Sequence, residues 1–344
     1  MQPLSPYRLA VSCFFIMLAS AAIVVAMNPV VFTALPPLLL ADLQSFKTML
    51  IGIVLEAFPF ILLGVLVSSL MQLFISEKTI RRLVPRNPLL GILFACALGI
   101  LFPICECGLI PVVRRLLAKG MPLYIAVVFI VVGPIVNPVV FTATYVAFRG
   151  NPAMVYSRMG LALLVGLLIG MIVYWFVRIN PLRSGKTPGG SAHSDEHMHD
   201  HGHGHEHLHE GKLFAMLRHA ADEFFDMGKF LLFGSVITAA IQTFIPRQDL
   251  LQLGQGEYGS HLFMMGFAYI LSLCSTSDAF VAASLATTFT SGSLLTFLVF
   301  GPMLDFKSTL MLLAVFRARF VVLLAIAIAV FVLAGSLWFE ALFL

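Results

Sequence analysis

Long apolar runs separated by short polar breaks make up most of the chain, and few segments show the one-faced pattern of a surface element. Crossing the roughly 30 Å hydrocarbon core of a bilayer takes about 20 apolar residues. Runs of that length predict transmembrane helices at 9–27, 48–75, 121–148, 158–178, 222–245, 293–316 and 319–340. The first competes with a signal peptide, because Arg8 precedes it and Ala19-Ser20-Ala21 resembles a cleavage site. The apolar run continues through Val31 and Phe32, which favours a retained helix. Two further stretches, 89–119 and 259–290, are too long for one straight helix, and a polar knot interrupts each. The first knot is Pro103-Ile104-Cys105-Glu106-Cys107-Gly108 and the second is Cys274-Ser275-Thr276-Ser277-Asp278.

Lysine and arginine accumulate in cytoplasmic loops, so they decide whether these stretches cross or re-enter. With a cytoplasmic N-terminus and both stretches as re-entrant hairpins, 15 basic residues lie inside. Only Lys47, Arg149, Arg158 and Arg247 then lie outside, and Lys229 and Lys307 fall within spans. A full crossing at 89–119 would move Arg114, Arg115, Lys119 and the long basic loop outside and nearly erase that bias. The hairpin topology is therefore expected.

An internal repeat agrees. The segment Glu56 to Gly64, running on to Ile75, aligns without a gap on Asp226 to Gly234, running on to Ile245. Gly133-Pro134 with Asn137 matches Gly301-Pro302 with Asp305, and Phe148-Arg149 matches Phe316-Arg317, at offsets of 168 to 170 throughout. Each repeat holds three crossings, an odd number, so the second must be upside down relative to the first. Inverted repeats whose broken elements meet at the midplane are a recurring plan of secondary transporters. The expected fold is an all-α polytopic membrane protein with an N-terminal helix and two inverted repeats, each of three transmembrane helices and one re-entrant hairpin. Its parts are the N-terminal transmembrane helix (1–45), a first repeat (46–179), a histidine-rich cytoplasmic linker (180–212) and a second repeat (213–344).

Composition sharpens this. Of 344 residues, 60% are hydrophobic and 11% charged, against roughly a quarter charged in soluble domains, so a soluble enzyme is excluded. The net charge of +4 comes with no basic, aromatic-interleaved patch, so nucleic acid is not an expected partner. Five cysteines do not make a disulfide framework.

Irregular backbone at membrane depth is tolerated where it lines a cavity or is buried in protein, which makes the two knots the default substrate site. In an extended hairpin tip Cys105 and Cys107 would point the same way, and opposed tips would bring Cys274 near them. Three thiols suit Cu(I) or trivalent arsenic, and zinc could add Glu106 or Asp278. Cys13 and Cys96 read instead as small packing residues. A carboxylate at membrane depth is costly without a role, so Glu106 removes that plainer reading from the Cys-Glu-Cys knot.

Asn137 and Asp305 follow equivalent Gly-Pro breaks and could hold a cation or carry a proton. Glu56 and Asp226, also equivalent, are alternative proton carriers. Asp226 and Lys229, three apart, could equally neutralise each other on one helix face. Asp305 and Lys307, two apart, do not share a face, so each needs a partner elsewhere.

Eight histidines, His193, His197, His199, His201, His203, His205, His207 and His209, interleave with acids in a linker too polar to pack. Neutral imidazole binds zinc and copper, so weak cytoplasmic metal capture is the expectation, with an inert solvated linker as the plainer alternative. His205-Glu206 with His209 formally matches a zinc-protease pattern, which needs a packed helix and arises by chance in so biased a run. Gly185-Lys186-Thr187 falls short of a phosphate loop because Asn180 stands where glycine is required. No nucleotide site, catalytic residue set or tightly bound cofactor is expected; energy would come from an ion gradient or a separate ATPase.

The stretch from Phe102 to Pro111, followed by Gly120-Met121-Pro122, Gly133 to Pro138, Cys274 to Asp278 and Gly301-Pro302, resembles the YraQ/ArsP family of permeases. The resemblance implies efflux of trivalent organoarsenicals or, in a histidine-rich branch, of copper and zinc, with Cys105, Cys107 and Cys274 as substrate-contacting residues. Glu106 stands where many relatives have a small residue such as serine, which moves the expectation toward metal cations. The expected protein is thus a multi-pass inner-membrane permease exporting zinc or copper, with organoarsenical efflux as one alternative. A non-transporting scaffold or metal sensor is the other. Expected partners are the bilayer, the transported metal ion or arsenical and, as an option the sequence leaves open, a second copy of the chain.

Overall fold

The computed structural model describes residues 37–74, 82, 84, 85, 87–102, 104–177, 212–244 and 257–343. The expected helix at 9–27 and all eight linker histidines lie outside the described residues, as does the Asp226 side chain. The described residues are helical, with no strand among them. In chain order the helices are α1 (Pro37–Phe74), α2 (Pro88–Leu101), α3 (Glu106–Ala118), α4 (Leu123–Val132), α5 (Pro138–Ala147) and α6 (Pro152–Phe176). A second set follows: α7 (Lys212–Phe244), α8 (Glu257–Leu271), α9 (Ser277–Ser284), α10 (Ser291–Met303), α11 (Phe306–Val315) and α12 (Ala318–Phe343). The two sets share one order: a long helix, a helix ending at a cysteine knot, a helix leaving it, two half-helices and a long closing helix.

Local chemistry explains where the helices start and stop. Asn-Pro pairs open α2, α5 and α6, with Pro88, Pro138 and Pro152 at the helix start, where a missing N–H costs nothing. Helix α3 ends in a Schellman turn: Met121 N–H donates to Leu116 O and Gly120 N–H to Leu117 O. Gly120 takes φ 91°, the left-handed region in which a Cβ is penalised.

Four helical segments are long and apolar enough to cross a membrane: Leu43–Leu70, Pro152–Phe176, Ser291–Val315 and Ala318–Leu342. Leu55, Leu93, Trp175 and Ile326 stand exposed on the outer faces of α1, α2, α6 and α12, as lipid contact requires. The run at 121–148 is not one span but two half-helices, α4 and α5, because the chain leaves the helix through Gly133 to Val136. The run at 293–316 is likewise split, at Leu304–Asp305 between α10 and α11.

The core lies where these half-helices are enclosed: α4 is buried along its whole length and so is nearly all of α10. Helix α1 crosses α3 with the two backbones in contact. A Cβ built on Gly64 would land on Gly108 O, and one built on Gly108 would reach 2.7 Å from Phe60 O. The same helix packs against α7, with Phe58 edge-on to Phe224 at 5.5 Å between ring centroids.

Candidate functional site

The first knot is not an extended tip. Cys105 is the N-cap of α3 in extended backbone, and Glu106 and Cys107 already form its first turn. A carboxylate at that position complements the positive end of the helix, which favours starting the helix there. The two thiols nevertheless lie near enough to act on each other. Glu106 is 5% exposed, and its Oε2 has no hydrogen-bond partner among the described residues.

The charged groups near enough to act on Glu106 are Asp305, Lys307 and Asp278. Lys307, on α11, is buried and in turn feels Asp305, Cys107, Glu106 and Glu56. Cys274, in the second knot, lies in the field of Glu106 and Glu56 and accepts a hydrogen bond from Thr276 Oγ1 at 3.7 Å. Glu56, exposed on α1, accepts from Ser277 Oγ at 3.0 Å and so joins the first long helix to the second knot. The fold thus gathers Cys105, Cys107, Cys274, Glu56, Glu106, Asp305 and Lys307 into one polar region. Cys96 is instead buried in α2 among core residues, as expected of a packing cysteine.

The acids Glu56, Glu106 and Asp305, among the described residues, act on the base Lys307. Among the described residues, no three His, Cys, Asp or Glu side chains converge closely enough to hold a metal ion. Donors therefore surround the region without forming a cage.

The two residues after the Gly-Pro breaks are caps. Asn137 Oδ1 accepts from Val140 N–H at 2.9 Å, while its Nδ2 donates to Pro134 O at 3.1 Å. Asp305 forms a capping box with Ser308, its Oδ1 accepting the Ser308 N–H. The second oxygen, Oδ2, is buried without a partner among the described residues. The expectation that Asp305 and Lys307 sit apart on a helix face is replaced: Asp305 is in extended backbone at the N-cap, free of helical geometry.

Asp278 has a partner the sequence did not suggest. Arg158, expected on an outer loop, is 0% exposed on α6, and its Nη2 reaches Asp278 Oδ2 at 2.7 Å. Its Nη1 donates to Thr144 Oγ1 at 2.7 Å, and Nη2 also donates to Ser275 O at 3.1 Å. Arg158 begins the apolar run at 158–178, so pattern alone places it at a boundary rather than inside the protein. A second missed group joins His261 on α8 to Glu340 on α12, again with no motif to mark it.

Comparison with known proteins agrees with this architecture. A family described as "Predicted permease" (ArsP_1) matches residues 42–341. The chain is 48% identical over 293 residues, 85% of its length and 96% of the relative's, to UPF0718 protein YcgR of Bacillus subtilis strain 168. It is 35% identical over 291 residues, 85% of its length and 92% of the relative's, to a protein of Streptococcus mutans. That protein is provisionally named as a two-component membrane permease complex subunit. No solved structure matches. The chain is therefore a multi-pass membrane protein that belongs to the ArsP-type family of predicted permeases.

Proposed function

We propose that this permease exports thiophilic metal ions, zinc or copper, by secondary transport through the polar region between the two knots. The observation that carries the reading is the company the thiols keep. Cys105, Cys107 and Cys274 lie among Glu56, Glu106 and Asp305, with the base Lys307 beside them. Such a set favours a soft cation over a neutral or anionic solute. A resident metal would need a closed cage, whereas cargo has to leave, and donors it can pass between suit that task. Asp278 and Asn137 line the margin of the path, with Glu56 or Asp226 as the carrier of a counter-moving proton.

In this reading the protein lies in the inner membrane with its N-terminus in the cytoplasm and its halves inverted. The linker histidines, His193 to His209, gather cytoplasmic metal and raise its concentration at the entrance. The Streptococcus relative's name supports a second component working beside the permease.

Organoarsenical efflux is the second reading, favoured by the nearness of the Cys105 and Cys107 thiols, since a methylated As(III) takes two thiolates. Cells lacking the protein, then complemented with it, are challenged with Zn(II), copper and methylated As(III). Restored growth on zinc or copper with lowered cell-associated metal is the expected result. Protection confined to the arsenical would replace the metal reading, and protection against none would remove both.

A further inference from the structure

His261 is the only histidine whose side chain is among the described residues, it is buried beside a carboxylate, and none of its partners belongs to the polar region between the knots. It lies in the second turn of α8 and is 1% exposed. Its Nε2 stands 2.9 Å from Glu340 Oε2, and the Glu340 side chain is 30% exposed near the end of α12. Its Nδ1 stands 2.9 Å from Thr296 Oγ1 on α10 and 3.2 Å from Ser336 Oγ on α12. The two hydroxyls are 2.7 Å apart and also reach backbone carbonyls, Thr296 to Gly292 O and Ser336 to Leu333 O.

Hydrogen-bond accounting then constrains the protons. A bare imidazole lone pair facing a carboxylate is repulsive, so the 2.9 Å contact between Nε2 and Oε2 holds a proton in every state. Nδ1 is different. A hydroxyl donates or accepts by rotation, so Thr296 can donate to an unprotonated Nδ1, or turn its hydrogen to Gly292 O or Ser336 and accept from a protonated one. The pair can thus hold one proton, with net charge −1, or two, and be neutral. No hydrogen bond of the imidazole is lost in either state.

Helix α6 brings Arg158, two residues from the Gly160 that faces Phe339, but its guanidinium is held by Asp278; the other packed helices bring little charge. Helix α10 carries no charged residue, and on α12 the only other one is Arg319, 21 positions away, about 31 Å along the helix. On α8 itself the other acid is Glu257, whose side chain is outside the described residues, and α7 meets α8 through Gln242, which donates to Leu271 O at 2.7 Å. Nor does packing demand these polar groups. At the repeat offsets of 169 and 168, His261 corresponds to Ile92 and Thr296 to Val128, both buried. In the first half these two close against Gly170, so the same junction of three helices is made there from apolar groups.

We propose that His261 and Glu340 form a proton-loading site of the second half. Helix α8 runs from this junction to the Cys274 knot, so a charge change at one end bears on the helix that presents the other. The site stands independently of which solute the permease carries.

Infrared difference spectroscopy on the purified full chain in lipid nanodiscs, with isotope-labelled histidine, tests it across a series of pH steps. Beside the changes of the other nine histidines, one imidazole is expected to change together with a carboxyl signal. E340Q, which keeps the shape and an acceptor, should remove the carboxyl signal and change the imidazole response across the pH series. The double variant H261I/T296V copies the first half's apolar junction, should remain folded, and should lose the imidazole signal and shift the carboxyl one. Histidine changes identical in wild type and E340Q would overturn the proposal. So would a carboxyl signal untouched in folded H261I/T296V; if that variant fails to fold, E340Q alone decides.

Discussion

Arg158 on α6 and Asp278 on α9, 120 positions apart in the chain, meet at 2.7 Å with both side chains shut away from solvent. The contact ties the closing helix of the first half to the knot helix of the second. Thr144 and Ser275 complete the guanidinium's hydrogen bonds except at Nε, which has no partner among the described residues. Removing one partner strands a buried charge, whereas replacing both with apolar groups does not. D278A should therefore cost about 3–5 kcal/mol, and R158M/D278L should recover most of it. Denaturant unfolding of the detergent-solubilised protein measures both.

The thiol pair gives a second prediction. C105S/C107S should abolish protection against zinc, copper and methylated As(III) while protein level and melting midpoint stay near wild type. C96S should keep protection, because that thiol packs in α2. Full protection in the double variant would sink the cysteine path.

Asp305 separates a structural role from a functional one. D305A loses the cap on α11 and should destabilise by about 1 kcal/mol. D305N keeps a capping oxygen, as Asn137 does on α5, and should melt near wild type. If the carboxylate's charge serves the cargo, D305N still lowers metal efflux several-fold in a whole-cell accumulation assay.

Backbone contact between α1 and α3 predicts opposite results from two alanines in one helix. G64A forces a methyl into Gly108 and should cost about 1–3 kcal/mol. At Gly52 nothing lies within 4 Å of the built Cβ, and G52A should gain up to about 0.5–1 kcal/mol from helix propensity. Thermal midpoints of the two variants, compared in one detergent, check the sign.

Much of this was legible because membrane helices are announced by length and apolarity, and the breaks by Gly-Pro and cysteine knots. The sequence pattern located both knots and the shared order of the halves, but it read 121–148 and 293–316 as unbroken spans although a Gly-Pro pair stands in each. It placed Arg158 on a surface, because a charge at the edge of an apolar run looks the same whether it faces water or a partner 120 residues away. It treated Cys-Glu-Cys as extended, although an acid after an N-cap is also how a helix begins. His261 and Glu340 went unread because no local spacing links residues 79 positions apart. In each case the deciding partner was distant in sequence, which periodicity does not encode.

Three short helices start within the same polar region: α3 at Glu106, α9 ahead of Asp278, and α11 at Asp305. Each start carries roughly half a positive charge from its aligned peptide dipoles, about one and a half in all. The acids are thus counterweights to the backbone, whatever they do for cargo, which lets Glu106, Asp278 and Asp305 stay buried with few basic side chains beside them among the described residues. Deleting one would leave helix ends unscreened and tilt the region toward anions, so the charge this region presents is set by a balance between main chain and side chain.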